Sequence, residues 1–225
     1  MGLSAGPALV AAEGFSFNDL RLTITRLPSS RPVHIDYAAP GGSASEDIAG
    51  AHPGVRVDLG PTLHLARIGG GCSLILAIAV FDAQQATAED DNRTTAIVGP
   101  MKIGTQGMDI GLGLAAHLTG SYHLEVVPFA GAAFAKLTDR GIVGGNAATT
   151  RAESGSGSSI EYGVRAAVYY TGSRNHLQVG LGLGYQVTRT QGKLQFDLVN
   201  GGDLSETVTI RSRGLAPFVS FGYRF

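Results

Sequence analysis

Leu177-Gln178-Val179-Gly180-Leu181-Gly182-Leu183-Gly184-Tyr185-Gln186-Val187 is the stretch on which the reading of the fold turns. Every odd position carries a large apolar side chain, and every even position is glycine or glutamine. Successive side chains on a strand point to opposite faces, so a period of two is the mark of a half-buried strand. A helix is disfavoured here, because each interior glycine costs roughly 0.5–1 kcal/mol relative to alanine.

The same alternation recurs outward in both directions. Leu20, Leu22 and Ile24 alternate with Asp19, Arg21, Thr23 and Thr25; Val55, Val57, Leu59, Leu63 and Leu65 alternate with Arg56, Asp58, Thr62 and His64. Met108 to Leu118, Leu124 to Phe134, Ile160 to Tyr170 and Leu215 to Phe225 repeat it, while Cys72 to Phe81 is apolar on both faces. Eight strands are predicted, at 14–27, 54–68, 71–82, 105–119, 122–137, 158–171, 176–190 and 207–225. They form one all-β domain over 14–225. Residues 1–13 read as an N-terminal extension or signal-peptide remnant, with Val10 and Ala12 at the small-residue positions of a cleavage site but no basic segment before them.

The links between strands alternate strictly: long at 28–53, 83–104, 138–157 and 191–206, short at 69–70, 120–121 and 172–175. In an antiparallel up-and-down barrel this gathers the long links at one rim and the tight turns at the other, the pattern of a transmembrane barrel with an even strand count. A Greek-key sandwich gives no reason for it. Pro40-Gly41-Gly42-Ser43-Ala44-Ser45, Glu89-Asp90-Asp91-Asn92-Arg93 and Ser154-Gly155-Ser156-Gly157 bury too little apolar surface to order the long links, so these are expected to be mobile. The fourth link differs. Leu194, Phe196, Leu198, Val208 and Ile210 flank Asn200-Gly201-Gly202-Asp203 and read as a hairpin that prolongs the last two strands.

Composition narrows the function. With 225 residues, 17 Lys and Arg against 18 Asp and Glu, and a formal net charge of -1, the chain lacks the basic surplus of a nucleic-acid partner. One cysteine excludes an internal disulfide and any multi-cysteine zinc site. The longest apolar run, Leu74 to Phe81, spans eight residues, far short of the roughly 18 that a membrane-crossing helix needs.

The alternation does not itself say which face is inside. The polar face holds Arg21, Arg56, Asp58, His64, Asp109, His117, Glu125, Glu161, Arg165 and Arg224 among many glycines and alanines, with acids and bases nearly balanced. Buried charges must be paired, and an eight-strand barrel has an interior just wide enough for side chains to fill. These ten residues are therefore expected to form a lumenal polar network, with the leucines and valines turned to lipid. Pro61, Pro128 and Pro217 lie on the lipid-facing parity, where a missing N–H breaks a ladder bond. The interfacial girdle must rest on Phe and Tyr, with Tyr122, Tyr162, Tyr169, Tyr170, Tyr185 and Tyr223 as its candidates, since Trp is absent.

Val219, Phe221, Tyr223 and Phe225 place apolar residues at every second position back from a terminal phenylalanine. This resembles the C-terminal assembly signal of bacterial outer-membrane β-barrels, and strand count and link pattern resemble the small OmpA/OmpX-type barrels. The resemblance implies a bacterial outer-membrane location. It also implies contact with the bilayer, lipopolysaccharide and the assembly machinery, and a monomer whose four long loops face outward. A structural, adhesive or loop-binding role is expected, through an extracellular ligand if any, with no cofactor, metal or catalytic residue.

Two other readings stay open: a lipid-modifying hydrolase and a soluble lipocalin-like carrier with the wall inverted. Outer-membrane lipid A deacylases carry a His and a Ser two residues apart on a strand, and none of the six histidines here is followed by Ser at that spacing; His117 with Thr119 comes nearest. Glu89 to Asn92 lacks the spacing of a calcium loop, and Cys72 reads as a wall residue. Arg211 and Arg213, near the loop rim, face either lipopolysaccharide phosphates or plain solvent.

Overall fold

The computed structural model describes residues 16–69, 71–87, 101–139, 153–172, 176–197 and 202–225. Its strands are β1 (Ser16–Arg26), β2 (Val33–Ala39), β3 (Gly42–Ile48), β4 (Val55–Gly69), β5 (Cys72–Ala86), β6 (Lys102–Thr119), β7 (Tyr122–Asp139), β8 (Glu153–Thr171), β9 (Leu177–Asp197) and β10 (Asp203–Arg224). Eight of them, β1 and β4 to β10, pair antiparallel in sequence order, and the first closes on the last from Asp19↔Arg224 to Thr25↔Phe218. Closure leaves no sheet edge inside the ring. The tight turns at one rim use glycine where the backbone needs positive φ: Gly69 (97°) and Gly71 (80°) between β4 and β5, and Gly120 (50°) between β6 and β7.

The other rim departs from expectation. The first long link is not a mobile polar segment but a hairpin, β2–β3, and β2 adds to the outer part of β10 from Thr209↔His34 to Ser205↔Ala38. The reason is visible along β2. Val33 and Ile35 share one face, and with Ile48 of β3 they bury apolar surface, while Pro40 and Gly41 supply the turn. Ser154 to Gly157 lies within β8, paired with β7 from Thr138↔Ser154 to Ala135↔Gly157. β9 and β10 do run on past the ring as the fourth link predicts, reaching Asp197 and starting at Asp203. Residues 1–13 and Glu89 to Asn92 lie outside the described residues.

Two of the three prolines are accommodated by local gaps in the ladder, and the third by the end of a pairing. Between β4 and β5 the pairs stop at Leu59↔Val80 and resume in phase at Thr62↔Ala77, beside Pro61. Between β6 and β7 they skip from Gly111↔Phe129 to Leu114↔Val126, beside Pro128. On the opposite side each proline stays in register, Pro61 with Leu20 and Pro128 with Val164. Pro217 keeps its place against Leu183 of β9 and sits one residue beyond the last β1–β10 pair, so its missing N–H costs nothing there. It marks where β10 parts from β1.

Inner-wall glycines make room both for charged chains, as Gly222 does for Arg21 and Gly131 for Asp109 and Glu161, and for aromatic rings. A Cβ on Gly180 would lie 2.3 Å from the Tyr169 ring, and one on Gly182 would lie 2.2 Å from that of Phe218. The space these two leave is filled by aromatic rings.

Candidate functional site

The lumen is crossed by two layers of ion pairs. In the layer nearer the turn rim, the Arg21 guanidinium donates to both Glu125 oxygens at 2.6 and 2.8 Å, to Asp19 at 2.6 Å and to Gln178 at 3.2 Å. Arg224 reaches the other Asp19 oxygen at 3.2 Å, and His123 Nε2 lies 3.1 Å from Glu125. In the layer nearer the long-link rim, Arg56, with no exposed surface, donates to Asp58 at 2.7 Å through Nε and also to Asp109 and Glu161. Arg165 donates to Asp109 at 2.7 Å, and Gln186 holds the second Glu161 oxygen at 2.8 Å. Each central guanidinium also lies over an aromatic ring: Arg21 on Tyr169 at 4.2 Å, Arg56 on Phe81 at 3.7 Å and Arg165 on Phe129 at 4.0 Å. The rings occupy volume that water would otherwise fill. Between the layers lies a cavity of about 70 Å³ touching Arg21, Asp58, Asp109, Glu125 and Arg165. It has room for a few water molecules and not for a solute.

Eight of the ten residues expected in the lumen are thus joined by ion pairs or hydrogen bonds: Arg21, Arg56, Asp58, Asp109, Glu125, Glu161, Arg165 and Arg224. Two are not brought into the layers. His64 is half-buried, with Nε2 lacking a partner among the described residues, and His117 is exposed at the turn rim, its ring 6.0 Å from that of His123. His64 keeps the lumenal parity of Arg56, Asp58 and Thr62, and the bulge that breaks the alternation of β4 follows it, between His64 and Ala66. Asp19, His123, Gln178 and Gln186 were missed as partners, although each stands on the polar parity of its strand. Tyr169 is a correction: it is buried in the lumen, stacked on His123 at 5.2 Å, and belongs to no girdle.

Above the ion pairs the mouth is capped. Val33, Ile35 and Ile48 of the hairpin pack with Met101, Ile103, Leu137, Leu194, Phe196, Val208 and Ile210 as one buried apolar cluster. The lumenal face therefore changes character along β9 and β10, from Gln186 and Ser220 to Leu194, Phe196, Val208 and Ile210.

The outer face changes in the opposite sense. Leu20, Leu22, Ile24, Leu59, Ile110, Leu112, Leu181 (66% exposed), Leu183 and Leu215 (62%) point outward around the ring. Moving toward the long-link rim, Ile24 gives way to Arg26, Val80 to Asp82, Met108 to Gln106, Phe134 to Lys136, Ile160 to Ser158, Val187 to Arg189 and Leu215 to Arg213. An apolar band between two polar rims, around a charged lumen, is stable only with hydrocarbon outside. The chain is an eight-stranded transmembrane β-barrel. The carrier reading, which needs leucines inside and charges outside, is overturned by the same residues.

No protein-family model matches the chain, and no curated protein matches it. Among solved structures it is similar to the outer membrane protein OprG from Pseudomonas aeruginosa, at 12% identity and a TM-score of 0.47, covering 93% of this chain and 96% of that one. It is similar to the outer membrane protease OmpT from Escherichia coli at 10% and 0.43, over 94% and 98% of the two chains. Neisserial surface protein A gives 16% and 0.34, over 90% and 100%.

Outside the band, and among the described residues, His34 of β2 stands between two carboxylates. Its Nδ1 is hydrogen-bonded to Asp47 at 2.7 Å and its Nε2 lies 3.3 Å from Asp36. The Asp47 hydrogen bond, and then the Asp36 charge, hold the imidazolium above its ordinary pKa of 6.5. A raised folded pKa means that protonated His34 supports the hairpin fully below the unfolded value, and that this support fades as pH climbs through the raised one. An NMR titration is expected to place the His34 midpoint above 6.5, and Asp47→Asn to bring it down. A wild-type midpoint at or below 6.5 refutes the pairing.

Proposed function

We propose that this chain is a bacterial outer-membrane barrel that conducts nothing and serves to hold a strand-built platform outside the cell. The observation that carries the reading is double closure among the described residues: two ion-pair layers in the lumen, a cavity of about 70 Å³ between them, and an apolar cap above. A pathway for solutes would leave one of these open. What the fold builds instead is external, since β7 to β10 run past the band and the β2–β3 hairpin extends them. The terminal Val219, Phe221, Tyr223 and Phe225 suit recognition by the assembly machinery, and nothing in the ring requires a second subunit.

Orientation is the first test. A cysteine introduced by Ala44→Cys, exposed on β3 of the hairpin, is expected to react with a membrane-impermeant maleimide on intact cells, while Cys72, beside the β4–β5 turn, reacts only after the outer membrane is permeabilised. Labelling of Cys72 alone on intact cells would put the platform on the wrong side.

A further inference from the structure

The outward face of β8 to β10 carries a basic row that no acidic side chain among the described residues pairs. Arg189 of β9 stands directly opposite Arg211 of β10, and the Arg31 amide donates to the Arg211 carbonyl at 2.9 Å, which aligns three arginines across neighbouring segments. All three are exposed. Arg213 lies two residues below Arg211, and Lys193 lies four above Arg189, opposite Thr207 and Ser156. None of these five makes an ion pair among the described residues, and Asp36, opposite Thr207, is engaged by His34.

Like charges directly opposite on a sheet destabilise it, so this arrangement is unfavourable by itself and is relieved by an anion that spans it. The opposite wall is different in kind: β5 presents Asp82, which accepts from Gln106 of β6 at 2.6 Å. Arg26 of β1 and Lys136 of β7 stand at the same rim, but the direct opposition of two arginines belongs to β9 and β10.

What lies directly below identifies the anion. Arg189 is opposite Ile160 of β8, and Arg213 is opposite Val187, which is in turn opposite Tyr162. One pair further into the band Tyr185 faces Leu215. Ile160, Tyr162, Tyr185 and Leu215 are all exposed, so the arginines form the top of a continuous surface whose lower part is apolar and edged with tyrosine. A free anion would use the arginines alone. A molecule with a phosphorylated head and acyl chains uses the whole surface. The guanidinium fork binds phosphate oxygens in pairs, and Arg189 and Arg211 stand about 5 Å apart at Cα, as opposed residues do, close enough to share one phosphate.

We infer that the Arg31–Arg211–Arg189 row, with Arg213 and Lys193, is a fixed binding site for one phosphorylated glycolipid headgroup of the outer leaflet, its acyl chains lying along Ile160, Tyr162, Tyr185 and Leu215. The inference rests on the long-link rim being the outer one, as proposed above. Its test is run in detergent, where sidedness plays no part, so the two can fail separately.

The full chain, refolded in a non-ionic detergent, is titrated calorimetrically with bisphosphorylated lipid A in mixed micelles. Saturable binding at one site is expected, weakening with salt. The double variant R189Q/R211Q is expected to lose roughly tenfold or more in affinity, as removal of charge-assisted hydrogen bonds does. R189K/R211K, which keeps the charge and loses the fork, falls between the two. The same change at Lys102, exposed on β6, leaves affinity unchanged. These arginines are exposed and repel one another, so the glutamine variants keep the heat-modifiable mobility of a closed barrel. Equal affinity of wild type and R189Q/R211Q overturns the site. Binding of inorganic pyrophosphate as tight as that of the lipid overturns the lipid assignment, as does undiminished binding of the dephosphorylated lipid.

Discussion

Arg56→Met is expected to be the most damaging single substitution in the barrel. Arg56 is fully buried and its guanidinium serves Asp58, Asp109 and Glu161 at once. Methionine fills much of the same volume over Phe81 but leaves three carboxylates with Arg165 as their remaining cation, and Arg165 lies 2.7 Å from Asp109 and 3.7 Å from Asp58. Breaking a buried ion pair by removing one partner costs roughly 3–5 kcal/mol, because the other charge is stranded. Urea unfolding in detergent, followed by the heat-modifiable band, is expected to register a loss of that size. Arg56→Lys, which keeps the charge without the planar fork, falls between. Adding Glu161→Gln to Arg56→Met removes one stranded charge, so the double variant recovers part of the loss rather than adding to it. Arg165→Met is milder, since Arg165 is 21% exposed and makes fewer contacts. A loss of less than about 1 kcal/mol for Arg56→Met, the value of an exposed pair, would show that the layer is solvated and does not seal the lumen.

The residues behind that prediction show what the sequence could and could not convey. A two-residue period is a local property of the chain, so which side chains share a face follows from parity, while the alternating link lengths give the ring and the balanced charges of one face give its inside-out polarity. Arg56, Asp58, Glu125 and Glu161 fall into the lumen for that reason. Partnership is not local. Asp19 and Gln178 meet Arg21 across strands that close the barrel, and only the register of β1 on β10 brings them together. Phe81, Phe129 and Tyr169 occupy polar-parity positions and look like exceptions to the pattern until their rings are seen beneath three guanidinia. His64 departs in the opposite direction: it keeps the parity of Arg56 and Asp58, yet it is only half-buried and its Nε2 has no partner among the described residues, which parity does not convey.

The β2–β3 hairpin was hidden for a related reason. Its apolar face is three residues, Val33, Ile35 and Ile48, too little to mark a strand pair in isolation, since a two-stranded hairpin is marginal in water by itself. It is stable because Leu194, Phe196, Val208 and Ile210 offer apolar surface on the lumenal side of strands whose outer side has turned polar. That inversion was legible as a hairpin continuing β9 and β10, but not as an apolar surface awaiting a cover.

Closure by two unlike seals in series makes the second large prediction. Ile35→Asp places a carboxylate at a fully buried position in the cap, where an unpaired charge costs more than the hairpin's five residue pairs with β10 can hold. The hairpin is expected to undock and to be cut within 28–53 at protease levels that leave the wild type intact. The heat-modifiable mobility should not change, because the closing ladder from Asp19↔Arg224 to Thr25↔Phe218 involves no residue of the hairpin. In planar bilayers Ile35→Asp alone should remain silent, since both ion-pair layers still cross the lumen. Arg56→Met alone should remain silent too, sealed by the cap and by the Arg21 layer. With the cap removed by Ile35→Asp and both layers loosened by Arg56→Met and Arg21→Met, discrete conductance is expected. Silence of the single variants, together with opening of the combination, is the signature of independent seals. Conductance from Ile35→Asp by itself would mean that the ion pairs seal nothing, and that the cap is the only barrier between the two sides of the membrane.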